Sequence, residues 1–122
     1  MLDVVVGVVR KGDKYAFLQR ANGKWTFPSG KVELRETVES AVLREVFEEA
    51  GVSIKTLFNL GQRDGKHERL HFFGCEWKEG ELIVKEEGKF LRAAWMSAAQ
   101  IIETVGEDVI FFPVLKFLKE PM

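Results

Sequence analysis

The segment GKVELRETVESAVLREVFEEAGV, residues 30–52, places three carboxylates on one side of a predicted helix. We expect this helix to run from about Thr37 to Ala50, because Thr37 can cap its N-terminus and Gly51 can take the left-handed stop. At 100° per residue, the three acids fall within an arc of about 100° beside the apolar face. They are Glu45, Glu48 and Glu49. A carboxylate beside an apolar face destabilises the folded state unless its charge is neutralised. Carboxylate oxygens are hard ligands, which suit magnesium or manganese. The segment therefore predicts a divalent-metal site.

A Glu-rich helix is, in general, more often a solvated face with charge pairs. Here the spacing argues otherwise: Gly30, Glu36 and residues 44–52 match the pattern Gx5Ex7REUxEExGU, in which U is a bulky aliphatic residue, without a departure. This pattern is the Nudix box, so the chain resembles the Nudix hydrolase family. Residues 25–29, WTFPS, are similar to the lead-in usual in that family, although Ser29 stands where Gly is more common.

The resemblance implies roles for the acids. Glu48 and Glu49 would be metal ligands, Glu45 either a ligand or the general base, and the backbone carbonyl of Ser29 or Gly30 a further oxygen donor. Family members often recruit another acid from a loop beyond the box. Glu86 and Glu87 lie in an irregular segment and are the candidates, with two exposed acids at a turn as the equal alternative.

Other residues of the pattern have supporting roles. The resemblance suggests a Glu36–Arg44 ion pair that fixes the loop onto the helix and orients the ligands, although Arg44 could instead pair with Glu48, four residues on. Gly30, with no side chain, would let the loop backbone pass close to metal and phosphate.

For the substrate, two residues are candidates. In the resembling fold, Arg20 ends a strand that faces the box loop and could meet a phosphate or base, or be an ordinary surface arginine. Phe27 could stack on a base, with core packing as the alternative. His67 and His71 would share one face of a strand, and without other nitrogen ligands we expect exposed residues rather than a metal pair.

Composition narrows the function classes. The 122 residues are 46% apolar, enough for one domain spanning 1–122 with a real core. The net charge of −1 gives no basic excess for holding a nucleic acid polymer. Cys75 is the only cysteine, which excludes an internal disulfide. The run from Val4 to Val9 is too short for a membrane span and lacks signal-peptide features, so we expect a cytoplasmic protein without a membrane partner. A homodimer stays open.

The chain shows no repeat or linker, and strand-like segments dominate it. We predict strands at 2–10, 15–20, 25–27, 53–62, 66–77, 82–85 (an edge strand) and 90–95. A short helix capped by Ser97 should extend through Ile102, and a helical tail around Pro113 should occupy 108–119. This is an α/β pattern with a mixed β-sheet, and the resemblance implies an α/β/α sandwich of the Nudix type.

The resemblance also implies the reaction. A Nudix hydrolase with Mg²⁺ (or Mn²⁺) would act as a pyrophosphohydrolase on a nucleoside diphosphate linked to another group. Among these, the minimal length favours nucleoside triphosphates, including oxidised ones, with nucleotide sugars and dinucleoside polyphosphates as alternatives. A catalytically silent nucleotide-binding module of the same fold is the alternative of another class. It is disfavoured because such modules commonly lose metal-binding acids, and here every acid of the box is present.

Overall fold

A computed structural model describes residues 1–120. Its seven strands are β1 (Leu2–Lys11), β2 (Lys14–Arg20), β3 (Trp25–Thr26), β4 (Ser29–Lys31), β5 (Ser53–Asp64), β6 (Glu68–Glu79) and β7 (Phe90–Ser97). Its helices are α1 (Val38–Ala50), α2 (Ala98–Val105) and α3 (Phe112–Lys119), with a 3₁₀ turn at Glu107–Val109.

The strands form one mixed sheet around β1, which confirms the predicted fold class. β1 runs parallel to β6 from the pair Leu2–Glu68 to the pair Arg10–Glu76, and antiparallel to β2 and β4. The path β3-β2-β1-β6-β5 is completed by β4 on β1 and β7 on β2. β1 pairs with β2 only near their connecting turn, whereas its first half pairs with β4. β1 and β2 therefore separate towards the N-terminal half of β1.

Helices cover both faces of the sheet, which gives the α/β/α layers. β1 supplies both cores because alternate side chains of a strand point to opposite faces. Val5 and Val9 pack with Val42 and Val46 of α1. On the other face, Val6 and Val8 belong to a second cluster with residues of α2 and α3, among them Ile101, Val114 and Phe117. None of the helices within residues 1–120 is long and apolar enough to cross a membrane.

Local signals placed both ends of α1 and the start of α2 correctly, whereas α2 runs to Val105, beyond the predicted end at Ile102. The Thr37 side chain accepts a hydrogen bond from the Ser40 N–H at 3.1 Å, and Gly51 ends α1 with φ 78°. Ser97 caps α2, with Gln100 completing a capping box. In each case the side chain or the glycine satisfies backbone groups that a helix end leaves without partners.

The edge strand predicted at 82–85 is wrong. That segment is irregular, and its backbone bonds to the end of α1 instead of to a strand: the N–H of Ile83 donates to the carbonyl of Ala50, and that of Lys85 to the carbonyl of Glu49. The last carbonyls of a helix have no partner within it, so they compete successfully for this extended segment. The box segment before α1 was expected to be a loop, and the structure adds the short strand β4 there.

Gly74 generates a stability prediction, because it lies beneath α3. A Cβ atom at this position would lie 2.8 and 2.9 Å from two ring carbons of Phe117, which is itself packed against Tyr15 and Phe58. Gly74→Ala should lower the free energy of unfolding by about 1–3 kcal/mol, the range for overpacking a core. Urea denaturation measures it. Gly65→Ala is the control, since a Cβ there meets its nearest atom at 3.6 Å. An equal loss in both variants would contradict the packing argument.

Candidate functional site

Glu49 is a buried carboxylate between α1 and β4. It is 1% exposed, and both of its oxygens are hydrogen-bonded: the Ser29 N–H donates to Oε1 at 2.9 Å and the Lys89 ammonium to Oε2 at 2.8 Å. Burial raises the pKa of Glu49 above its ordinary value, and the hydrogen bonds from Lys89 and Ser29 oppose that rise. A lysine 40 positions further along the chain thus neutralises the most buried acid of the box.

Arg44 joins the loop before α1 to the helix. Its Nε and Nη2 donate to the two oxygens of Glu36 at 2.7 and 2.8 Å, and Nη2 also donates to the carbonyl of Lys31 at 3.0 Å. The hydrogen bonds from Arg44 lower the pKa of Glu36 to about 2. Nη1 contacts Glu45 at 2.7 Å and Glu48 at 3.2 Å. The structure therefore contains both pairings considered for Arg44.

Gly30 lies directly against Glu45. A Cβ atom at residue 30 would overlap the Glu45 carboxylate, so only glycine lets β4 pass this close to α1. Burial raises the pKa of Glu45, and the hydrogen bond from Arg44 opposes the rise. Glu45 is held between the backbone of β4 and the guanidinium of Arg44.

A charged cavity of about 360 Å³ opens beside these residues. Three acids line it, Glu45, Glu48 and Glu86, and Glu87 does not. Three cations line it as well, Arg20, Lys31 and Lys89, together with Val4, Ser29 and Gly30. Glu48 is the most open acid, with 49% of its side chain exposed. The cavity combines carboxylates with side chains that can bind phosphate.

Within residues 1–120, no three acidic, histidine or cysteine side chains stand together as a ready metal cage. The contacts explain this, because Arg44 holds Glu45 and Lys89 holds Glu49. The donor types nevertheless fit a hard divalent cation, since several carboxylates and the backbone of Gly30 border one cavity. Of the three acids predicted on α1, Glu45 and Glu48 line the cavity, and Glu49 is bonded to Ser29 and Lys89, which line it as well.

An apolar cavity of about 330 Å³ adjoins the charged one and shares Val4, Arg20 and Ser29 with it. Its walls are largely aromatic and aliphatic, including Trp25, Phe27, Phe72, Phe111 and Ile110. Phe27 lines the cavity and also packs on Phe17, with ring centroids 4.9 Å apart, so both roles considered for it are present. The guanidinium of Arg63 lies 5.5 Å from the Phe111 ring centroid and borders the same cavity.

Sequence reasoning missed Lys89 and Lys31 as members of the site. A lysine three residues after Glu86 in an acidic turn is a weak signal for an ion pair, and the structure contains that contact at 3.5 Å. The two histidines stay outside both cavities; His71 contacts Asp3 at 2.9 Å instead.

The chain is similar in sequence to known proteins. The family model described as NUDIX domain matches residues 1–113. An oxidized purine nucleoside triphosphate hydrolase from Danio rerio is 32% identical over 101 residues, which are 76% of this chain and 63% of that protein. An NAD-capped RNA hydrolase, NudC, from Haemophilus influenzae is 38% identical over 80 residues, 64% of this chain and 30% of that protein. The chain thus spans less than two thirds of each relative's length.

The same fold occurs among solved structures. A NUDIX hydrolase from Nitrosomonas europaea superposes with a TM-score of 0.84 over 98% of this chain and 71% of that chain, at 20% sequence identity. At that identity the likeness concerns the fold alone.

The Glu36–Arg44 pair generates a pH prediction. A carboxyl group with a folded-state pKa of about 2, against an ordinary 4.5, stabilises the folded state above about pH 4.5 and loses that contribution as the pH falls towards 2. Glu36→Gln should therefore melt at a lower temperature than the wild type above pH 4.5, and the difference should shrink to nothing near pH 2.

Thermal denaturation over this pH range measures the effect. Glu33→Gln is the matched control, because Glu33 lies 3.3 Å from the same Arg44 Nε but is 66% exposed, where an ion pair contributes little. A melting difference for Glu36→Gln that is independent of pH would contradict the assignment.

Proposed function

Because the chain belongs to the NUDIX family, we propose that it is a divalent-metal-dependent hydrolase that cleaves a phosphoanhydride bond in a nucleoside diphosphate linked to another group. One observation carries this proposal: the charged cavity and the apolar cavity are adjacent and share Val4, Arg20 and Ser29. A nucleotide has the same two parts, a flat apolar base and a chain of charged phosphates.

The substrate we propose is a nucleoside triphosphate, including oxidised forms. The apolar cavity, about 330 Å³ with aromatic walls, is of a size typical for small-molecule sites and suits a stacked base. The phosphates would then reach Arg20, Lys31 and Lys89 in the charged cavity. The similarity to a relative named for oxidised purine nucleoside triphosphates supports this choice.

The second candidate substrate is a nucleoside diphosphate that carries a large second part. That part is either a second nucleoside or the sugar of a nucleotide sugar. The similarity to an NAD-capped RNA hydrolase favours it. The charged cavity is also the more open of the two, so a second moiety could leave through it towards solvent.

Charge neutralisation would be divided among the residues of the cavity. Glu45, Glu48, Glu49 and Glu86 would hold Mg²⁺ or Mn²⁺, with a backbone oxygen of Ser29 or Gly30 beside them. A divalent ion bound there supplies positive charge to the phosphates and acidifies a nearby water. Arg20, at the junction of the cavities, would orient the phosphate next to the nucleoside. Arg44 and Glu36 would hold α1 and its loop in register, without touching substrate.

A product screen tests the proposal. The purified protein with Mg²⁺ is incubated with normal and oxidised nucleoside triphosphates, NAD, dinucleoside polyphosphates and nucleotide sugars, and the products are identified by mass. Hydrolysis of triphosphates to monophosphates supports the first candidate, and mononucleotides from NAD or nucleotide sugars support the second. Metal-dependent nucleotide binding without any product would instead identify a silent binding module.

Glu48 should be required for turnover. Glu48→Gln removes a charged oxygen ligand from the cavity but keeps the side chain's size, and kcat should fall by roughly a hundredfold or more at fixed Mg²⁺, with unchanged melting. Steady-state kinetics measures this. Glu39→Gln, an exposed acid in the first turn of the same helix, should keep near-normal kcat. Near-normal turnover in Glu48→Gln would remove this residue from the metal site.

The two loop acids should differ. Glu86 lines the charged cavity and Glu87 does not, so Glu86→Ala should raise the Mg²⁺ concentration needed for half-maximal activity several-fold, and Glu87→Ala should leave it unchanged. Magnesium titrations of the two variants make the comparison. If both variants gave the same Mg²⁺ titration curve as the wild type, the site would take no acid from this loop.

A further inference from the structure

Lys89 contacts two acids at once. Its ammonium lies 2.8 Å from Oε2 of Glu49 and 3.5 Å from Oε2 of Glu86, and its side chain lines the charged cavity. Glu49 belongs to the box and Glu86 is the loop acid at the cavity. One protein cation therefore contacts two carboxylates that the proposed metal ion would also use.

The Lys89 ammonium, 2.8 Å from Oε2, repels a divalent ion that approaches the same carboxylate, so the two cations compete for Glu49. Glu49 is almost fully buried, and a buried carboxylate without a charged partner strongly destabilises the folded state, so in the absence of metal it needs Lys89. A lysine side chain carries a positive charge at neutral pH, so in this position Lys89 competes with any other cation for Glu49.

Arg44 and Lys89, the two cations that contact acids of the box, differ in how easily they can leave those acids. Arg44 is fixed by several contacts, including a bidentate pair with Glu36 and a hydrogen bond to the carbonyl of Lys31. Lys89 is 45% exposed, comes from a turn next to Gly88, and ends a flexible four-carbon stem. Its ammonium can move from Glu49 into the cavity by rotation of its own side chain, while Arg44 keeps the loop in place.

We propose that Lys89 is the counter-ion of Glu49 in the metal-free protein and that metal binding displaces its ammonium into the charged cavity, where it binds a substrate phosphate. The exchange makes Glu49 available as a metal ligand and delivers a positive charge to the phosphates in the same step. This inference rests on the proposed function, because it takes the charged cavity to be the metal and phosphate site.

Metal affinity without nucleotide tests the exchange directly. Mn²⁺ binding is measured by titration calorimetry, and the melting temperature is measured in EDTA and at saturating Mn²⁺. Lys89→Met should bind Mn²⁺ roughly tenfold more tightly than the wild type, within the usual range for two coupled binding events. In EDTA the same variant should melt lower, because Glu49 has lost its partner, and Mn²⁺ should close most of that gap.

Two further variants separate competition at Glu49 from the general charge of the cavity. Lys31→Met removes the same charge from the same cavity, but Lys31 contacts Arg44 only through its backbone carbonyl, so Mn²⁺ affinity should change much less. Lys89→Arg keeps a cation in reach of Glu49 and should bind Mn²⁺ nearly as weakly as the wild type. Lys89→Gln, which can still donate a hydrogen bond to Glu49, replaces Lys89→Met if the latter fails to fold.

The outcomes are distinct for the two proposals. If the charge-removing variants bind Mn²⁺ no more tightly than the wild type, or if Lys31→Met gains as much, the Lys89 exchange is overturned, while metal-dependent hydrolysis by the wild type would still support the proposed function. If the wild type binds no Mn²⁺ and yields no product from any nucleotide, both proposals fail.

Discussion

The carboxylate of Glu49 is buried between α1 and β4, and its neutralisation constrains the rest of the site. The helix brings the acid inward among apolar residues, where an unpaired charge would oppose folding. Two groups from distant parts of the chain donate hydrogen bonds to this carboxylate: the N–H of Ser29 from β4 and the ammonium of Lys89 from the turn before β7. Both segments are thereby drawn to the end of α1, and the cavity forms between them. The same contacts that stabilise the fold position the proposed chemistry.

The two ion pairs of the site have different consequences because guanidinium and ammonium groups differ. Arg44 meets Glu36 with two parallel hydrogen bonds, which fix direction as well as distance, so this pair serves as a frame. Lys89 meets Glu49 through a single point charge on a flexible stem. In the proposed exchange, Lys89 would move while Arg44 stays in place, so the acids would remain neutralised without loosening the loop that presents them.

Sequence was a good guide wherever the cause of a structure is local. The cap at Thr37, the stop at Gly51 and the spacing of the acids on α1 are all set within a few residues, and each occurs in the structure. The segment 82–85 was misassigned because its apolar pattern fits a strand equally well, and its true partners are helix carbonyls more than 30 positions away. Lys89 was missed for a similar reason. A lysine in a polar turn is ordinary, and only the fold shows that it reaches a buried acid.

The position of Arg20 shows how the sheet itself makes the two-part cavity. β1 pairs with β2 only beside the turn that connects them, and its N-terminal half pairs with β4 instead. β1 and β2 therefore diverge away from the turn, and a space opens between them. The pairing of β2 with β7 shifts register between Gln19 and Arg20, an irregularity of the kind that redirects a side chain. Arg20 consequently borders both the apolar and the charged cavity. A ligand that fills both cavities would join an apolar part to a charged part, and this division follows from strand pairing before any catalytic residue is considered.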